Sequence, residues 1–217
     1  MEYLMTCYRR QGEGGCSLLL QQYVCRRTPV CFACLCTAED SGICRDTAES
    51  LWSWGRTAPW HRAAGRPSYW MKRFEKELSD MPELSEAAQV SKGRKLTLLL
   101  GIGEELLAMG GGQNLFLLST SFGKGKAGRL PGQFRGYLEA GAGLLLATDG
   151  FLENTEERNL EEALGLREIR SEEQAEKRLK ELAASGGPKE APAAAILLAS
   201  VRRISNAHAR GHFAKKF

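Results

Sequence analysis

The segment LLLATDGFLEN, residues 144–154, contains a carboxylate that could bind a metal ion. Its apolar run ends at Asp149 and Gly150. A carboxylate at the end of a strand often supplies part of the ligands for a hard divalent cation, and a glycine beside it lets other backbone approach closely. Asp-Gly is also among the commonest turn dipeptides, so the simpler interpretation is a turn that ends a buried strand.

Three closely spaced cysteines in the segment VCFACLC could also bind a metal. The segment resembles a strand, however, in which Cys31 and Cys34 point to opposite faces and cannot share one ion. All seven cysteines lie before Asp46, and their number is odd. We therefore predict free thiols that pack as small apolar groups, and neither a zinc site nor a disulfide framework.

Other chemistries find little support in the sequence. The segment GKGK, residues 123–126, lacks the glycine spacing of a phosphate-binding loop, and the three histidines accompany no serine or cysteine elbow. The net charge of +4 is mild, so we predict no nucleic-acid partner. The apolar runs are too short to span a bilayer and no signal-peptide pattern is visible, so we expect a cytoplasmic protein with no membrane partner.

The elements that must position these residues follow from the apolar pattern. Leu18 to Val24 and Val30 to Cys36 flank the turn-like RRTP and predict an antiparallel pair of strands. A helix is expected to begin at Asp46, a loop to cover Gly55 to Gly65, and a second helix to begin at Pro67.

From residue 95 onward the pattern changes to short strands separated by glycines, and two further helices and a closing strand, AAAILLASV, follow. The order of strand pair, helices, many strands, helices and strand predicts the α+β class, with two antiparallel sheets covered by helices. The length of 217 residues is that of one domain.

This order of segments, together with LLLATDGFLEN, resembles the PPM, or type 2C, metal-dependent protein serine/threonine phosphatases in their compact bacterial form. GGQNLFLL is similar to the family segment in which a Gly-Asp-Ser-Arg run leads into a strand, and APAAAILLASV is similar to the closing strand. The resemblance implies an αββα sandwich of two antiparallel sheets flanked by helices. It gives a phosphatase-like domain over residues 1–203 and a flexible basic tail over residues 204–217.

In that family, carboxylates from separate strand ends hold two Mg²⁺ or Mn²⁺ ions, which bridge the water that attacks phosphorus. The resemblance assigns one such acid to this chain, Asp149, followed by Gly150. The other family acids fall on Cys16, on Thr37 with Ala38 in place of the following glycine, on Gly112 and on Ala191. Arg10 lies one residue from the position of the arginine that binds phosphate in the family.

One carboxylate cannot neutralise two divalent ions. The departures from the family pattern therefore predict a pseudophosphatase with no metal cofactor, which binds or regulates a phosphoprotein, a kinase or another signalling protein. The alternative is an active Mn²⁺- or Mg²⁺-dependent phosphatase whose site is rebuilt by nearby acids, for which the candidates are Glu13, Glu39, Asp40 and Glu190.

A third interpretation concerns the tryptophans at positions 52, 54, 60 and 70, which could mark an apolar interaction face. Tryptophans are more often part of the core, and we expect that here.

Overall fold

The structure, a computed structural model, describes residues 2–10, 12–85, 93–119, 126–139, 141–153, 155, 160–166, 168–184, 192–201 and 213–216. Its strands form two sheets in which every pairing is antiparallel. The first sheet has the order β1 (Glu2–Arg10), β10 (Ala193–Val201), β9 (Gly143–Ala147), β6 (Asn114–Ser119) and β7 (Lys126–Leu130). The second has the order β11 (Phe213–Lys216), β2 (Gly15–Cys25), β3 (Thr28–Ala38), β4 (Arg94–Ile102), β5 (Glu105–Gly111) and β8 (Phe134–Tyr137).

Helices cover the outer face of each sheet. On the second sheet lie α1 (Ser41–Thr57), α2 (Trp60–Gly65) and α3 (Pro67–Ser79), followed by a 3-10 turn at Pro82–Leu84. On the first sheet lie α4 (Asp149–Leu152), α5 (Leu160–Leu164) and α6 (Glu172–Ala184). A third apolar cluster fills the space between the two sheets. The layers form the predicted αββα sandwich, which is confirmed.

Strand β3 shows how one segment serves two of these layers. Cys31 packs in the cluster between the sheets, whereas Cys34 and Cys36 pack beneath the helices of the second sheet. The predicted alternation of the cysteines is therefore confirmed. The strand is buried on both faces, which explains its almost continuous apolar sequence.

The first helical region differs from the prediction. Helix α1 begins at Ser41, because the Asp40 carboxylate accepts a hydrogen bond from the Gly42 N–H at 2.7 Å and so caps the helix. The segment from Gly55 to Gly65, predicted as a loop, is the end of α1 and the whole of α2. A Cβ atom at Gly55 would lie 2.7 Å from the amide oxygen of the buried Gln21 side chain, so a larger residue here would force that side chain to shift where α1 approaches β2.

The predicted helix from Pro67 is confirmed, and its apolar stripe packs in the core. Trp60 and Trp70 are buried, and Trp52 and Trp54 pack against the same cluster at half burial. The tryptophans therefore belong to the core between the helices and the second sheet.

The predicted domain boundary at residue 203 lies outside the described residues, as does the GKGK segment up to residue 125. Residues 213–216, which the sequence analysis assigned to the flexible tail, pair with β2 as strand β11. Within the described part of the chain, no helix combines the length and apolar character needed to cross a membrane.

Candidate functional site

A cavity of about 490 Å³ opens at one end of the sandwich, where strand ends from both sheets meet. Strand β3 ends there at Ala38, β4 begins nearby, and β9 leads into Asp149. The lining residues are Glu13, Gly14, Thr37, Ala38, Glu39, Gly93, Lys95, Gln113, Thr148, Asp149, Gly150 and Pro192. Of the residues that the sequence analysis singled out, Asp149, Gly150, Thr37, Ala38, Glu13 and Glu39 meet here.

Thr148 fixes the backbone that carries Asp149. Its buried hydroxyl accepts hydrogen bonds from the Phe151 N–H at 3.3 Å and the Ala194 N–H at 3.0 Å. It also donates to the Pro192 carbonyl at 3.1 Å. One hydroxyl thus caps α4 and joins it to the beginning of β10, with its full hydrogen-bonding capacity in use.

The Asp149 carboxylate is held by two side chains. Lys95 Nζ lies 2.6 Å from Asp149 Oδ2, and Asn114 Nδ2 donates to Asp149 Oδ1 at 2.7 Å. The hydrogen bond from Lys95 lowers the pKa of the Asp149 carboxyl below its ordinary value, and the bond from Asn114 adds to this. Asn114 is itself buried and accepts a hydrogen bond from the Arg129 guanidinium.

Lys95 also fills the space beside Gly112, where the resemblance would place a family acid. Gly112 has a φ of +82°, and a Cβ atom there would lie 2.7 Å from Lys95 Cγ. A side chain at this position would therefore be strained and would displace the lysine. The aliphatic part of Lys95 thus occupies the space that the glycine leaves free.

A neutral pair occupies the position of another expected acid. Gln113 Nε2 donates to Thr37 Oγ1 at 2.7 Å and to the Lys95 carbonyl at 3.1 Å. Ala38, in place of the family glycine, packs against the core beneath the helices. This wall of the cavity is held together by hydrogen bonds that need no cation.

Cys16 does not line the Asp149 cavity. It pairs with Thr37 in the sheet register, but its thiol packs between the two sheets, and burial raises its pKa to about 11. It borders a neighbouring cavity of about 470 Å³ that Arg9 and Arg45 also line. Arg10 lines neither cavity, and its contact with phosphate stays a prediction.

The candidate replacement acids have different positions. Glu13 and Glu39 line the Asp149 cavity as exposed side chains, whereas the Asp40 carboxylate caps α1. Glu190 and Ala191 lie outside the described residues.

The residues present do not fit a pair of hard cations. Among the described residues, no three His, Cys, Asp or Glu side chains are placed to hold a metal ion. An ion bound to Asp149 Oδ2 would lie about 2.0–2.6 Å from it, which is where the Lys95 ammonium already lies.

Three residues of the site, Lys95, Gln113 and Asn114, were not predicted from the sequence. Lys95 stands directly opposite Thr37 in the register of β3 and β4, so the register would have placed it at the site. Neither its residue type nor its spacing from Asp149 indicates this. Asn114 falls where the resemblance places the arginine of the Gly-Asp-Ser-Arg run, and that substitution was a usable signal.

No protein-family model and no curated protein sequence matches this chain. Solved structures do match it over nearly its whole length. PppA, a key regulatory component of T6SS in Pseudomonas aeruginosa, is 15% identical, covers 92% of this chain and 98% of its own, and gives a TM-score of 0.56. The S. agalactiae serine/threonine phosphatase is 11% identical, with coverage of 90% and 99% and a TM-score of 0.54.

The Mycobacterium tuberculosis serine/threonine phosphatase PstP/Ppp is 15% identical, with coverage of 92% and 98% and a TM-score of 0.52. At such identities the likeness defines the fold. The chain has the fold of the PPM, or type 2C, serine/threonine phosphatases, as the resemblance in its sequence predicts.

Proposed function

We propose that this protein is a PPM-like pseudophosphatase, which uses the phosphatase fold as a binding or regulatory module in phosphorylation-dependent signalling. The observation that carries the proposal is the contact between the Lys95 ammonium and the Asp149 carboxylate. The positive charge of Lys95 balances the one family acid, so the protein's own lysine takes the electrostatic role of a metal ion.

The surroundings of this ion pair support the same function. Thr37 and Gln113 bond to each other, and Gly112 gives room to the lysine stem. A divalent cation would have to displace Lys95, and it would then find few oxygen ligands, at a high cost in desolvation. Without bound metal, the water that attacks phosphorus in this family is not activated.

The proposed partners are a phosphoprotein, a kinase or another signalling protein. The similar structures include a key regulatory component of T6SS and a structure described under the bacterial stressosome, a modular system that has been adapted to control secondary messenger signaling. These printed roles support a signalling partner for this chain by analogy of fold only.

A second candidate function is an active Mn²⁺- or Mg²⁺-dependent serine/threonine phosphatase with a rearranged site. The observation that favours it is that Glu13 and Glu39 line the same cavity as Asp149. For that function, both glutamates would have to turn toward Asp149 while Lys95 moved away.

One experiment separates the two. The melting temperature of the natural chain and of Asp149→Ala is measured with and without Mn²⁺ and Mg²⁺, and each protein is assayed on a phosphothreonine peptide. The pseudophosphatase is expected to show no metal-dependent rise in melting temperature and no turnover. Metal-dependent stabilisation with turnover that Asp149→Ala abolishes would instead establish the active phosphatase.

A further inference from the structure

The end of the sandwich opposite the Asp149 cavity carries a dense group of arginines. Strands β2 and β3 are joined there by a turn at Arg26 and Arg27, and α1 and α2 meet beside it. We call this group the arginine face, and it consists of Arg26, Arg27, Arg56, Arg62 and Arg66, all exposed. In the described part of the chain, none of the five takes part in an ion pair.

The turn itself is strained. Arg26 has a φ of 52° and Arg27 a φ of 68°, and they are the non-glycine residues with positive φ among those described. Two-residue hairpin turns of this kind favour Asn-Gly, because side chains with a Cβ resist this conformation. Two arginines at this exposed turn keep an unfavourable backbone conformation that Asn-Gly would relieve, which indicates that their side chains have a role.

A cavity of about 650 Å³ opens within the arginine face. Its wall contains the buried ring of Trp60 and the half-buried ring of Tyr23, which stack with centroids 6.0 Å apart. The exposed side chains of Arg56, Arg62 and His61 surround its opening. The volume lies in the range of about 300–1,000 Å³ that is usual for ligand pockets.

The cavity is continuous with the turn and is rigidly built. Cys25, directly before Arg26, lines it, and a Cβ atom at Gly65 would lie 3.6 Å from the Arg26 guanidinium. The Trp60 indole donates to the Gly55 carbonyl at 2.7 Å, which fixes the ring. An apolar hollow with a positively charged border is thus formed before any partner binds.

We propose that the arginine face docks an acidic peptide segment of a partner protein, with one aromatic or branched apolar side chain seated against Trp60 and flanking carboxylates paired with the arginines. None of the residues that line the cavity is acidic, so the charge is complementary to such a segment. Arginine forms paired hydrogen bonds with carboxylates, and a buried apolar anchor supplies most of the affinity in contacts of this kind.

Two other classes of anionic partner fit less well. Single-stranded nucleic acid stacks successive bases on several exposed rings, whereas Trp60 and Tyr23 line one hollow and neither ring is exposed, which fits a single inserted side chain. A membrane surface would be expected to meet several exposed apolar side chains, whereas the large exposed one in this region is Val24.

The test uses the whole chain and a fluorescein-labelled peptide with a central tryptophan between runs of glutamate. Binding is followed by fluorescence anisotropy at low and at physiological salt. Arg56→Ser with Arg62→Ser is expected to weaken binding by about tenfold and to reduce its salt dependence. The control is Lys177→Ser with Lys180→Ser on α6, which changes the net charge equally on the opposite helical layer.

A second variant, Arg26→Asn with Arg27→Gly, guards against loss of fold, because it relieves the strained turn while it removes two charges. It is expected to melt at a higher temperature and to bind the peptide more weakly. A peptide in which alanine replaces the tryptophan is expected to bind more weakly to the natural chain.

The proposal is overturned if the natural chain does not bind the tryptophan peptide, or if the lysine control weakens binding as much as the arginine variants do. Tighter binding of a single-stranded oligonucleotide or of phosphatidylserine vesicles would also overturn it. All of these results are independent of the pseudophosphatase assay, because the arginine face lies at the other end of the domain.

Discussion

The Lys95 ammonium lies 2.6 Å from the Asp149 carboxylate, and it joins strand β4 of the second sheet to the helix that follows β9 of the first sheet. Both side chains are largely exposed, at 50% and 67%. The pair therefore contributes little to folding, about 0–1 kcal/mol for an exposed ion pair. Its significance lies in its position, because the sequence resemblance assigns Asp149 to a metal-binding position of the phosphatases.

The first prediction concerns the protonation of Asp149. Lys95→Gln is expected to raise the pKa of the Asp149 carboxyl, because it removes the principal group that lowers it. A carboxyl whose pKa is lowered by folding stabilises the folded chain at pH values above its pKa in the unfolded chain, which is near 4. This stability is lost as the pH falls through the pKa of the folded chain. We expect the variant to lose less stability on acidification, by about 0.5 kcal/mol after solvent screening.

Carbon-detected NMR titration of the Asp149 carboxyl in both proteins measures this directly. Lys177→Gln, which removes a lysine far from the cavity, is the control and is expected to leave the Asp149 titration unchanged. An identical Asp149 titration in the natural chain and in Lys95→Gln would contradict the prediction.

The second prediction concerns the fit between Gly112 and the lysine stem. Gly112→Asp is expected to destabilise the chain by about 1–3 kcal/mol, because its Cβ would meet Lys95 Cγ at 2.7 Å and φ is +82°. Combining it with Lys95→Ala removes the contact with Cγ but leaves Cβ of residue 95 at 2.9 Å, so it should recover only part of the loss. Urea unfolding of both single variants and the double variant gives the coupling between the sites, and strictly additive effects would show that the two positions do not interact.

The third prediction concerns the buried amide that supports Asp149. Asn114→Ala is expected to lower the free energy of unfolding by about 0.5–1.5 kcal/mol, because it removes the hydrogen bonds of a buried amide to Asp149 and Arg129, whose own side chains water can still reach. Gln133→Ala removes an exposed amide near the same end of the fold and should change it by less than about 0.5 kcal/mol. Equal effects of the two substitutions in urea unfolding would refute the structural role of Asn114.

The fourth prediction concerns alkaline pH. Burial raises the pKa of Cys31 to about 12, whereas a thiol in the unfolded chain ionises near pH 8.5. The folded chain therefore holds a proton that the unfolded chain releases, and stability is lost as the pH rises above the unfolded value. Cys31→Ala is expected to reduce the loss between about pH 7 and pH 10 by roughly 2 kcal/mol.

Urea unfolding at both pH values checks this, and the difference between them cancels the constant effect of the smaller side chain. Ser17→Ala, also in the second sheet, carries no titrating group and should leave the pH-dependent loss unchanged. If Cys31→Ala loses as much unfolding free energy between the two pH values as the natural chain does, this thiol does not control alkaline stability.

Much of the fold could be predicted because its signals are local. Strands β2 and β3 are long apolar runs on either side of a turn, and Asp149 follows directly from the end of the apolar run of β9. The beginning of α1 was predicted wrongly because Asp40 and Asp46 both offer a capping carboxylate. The choice between them depends on how much of the helix can bury against the second sheet, which is a tertiary effect.

The site was only half predictable for a related reason. The resemblance identified positions around Thr37, Gly112 and Asp149, and the structure brings these to one end of the sandwich. The contact of Lys95 with Asp149 joins residues 54 positions apart, and it depends on the register of β4 and on the packing of one sheet against the other. Neither is encoded in the spacing of a motif.

Strand β3 begins beside the arginine face and ends at the Asp149 cavity. Its eleven residues span roughly 35 Å at about 3.3 Å each, several times the Debye length of about 8 Å at physiological salt. Charges at the two ends are therefore screened from each other, and a molecule bound at one end neither attracts nor repels a molecule at the other. If both proposed binding sites hold, partners at the two ends of the domain bind independently of each other.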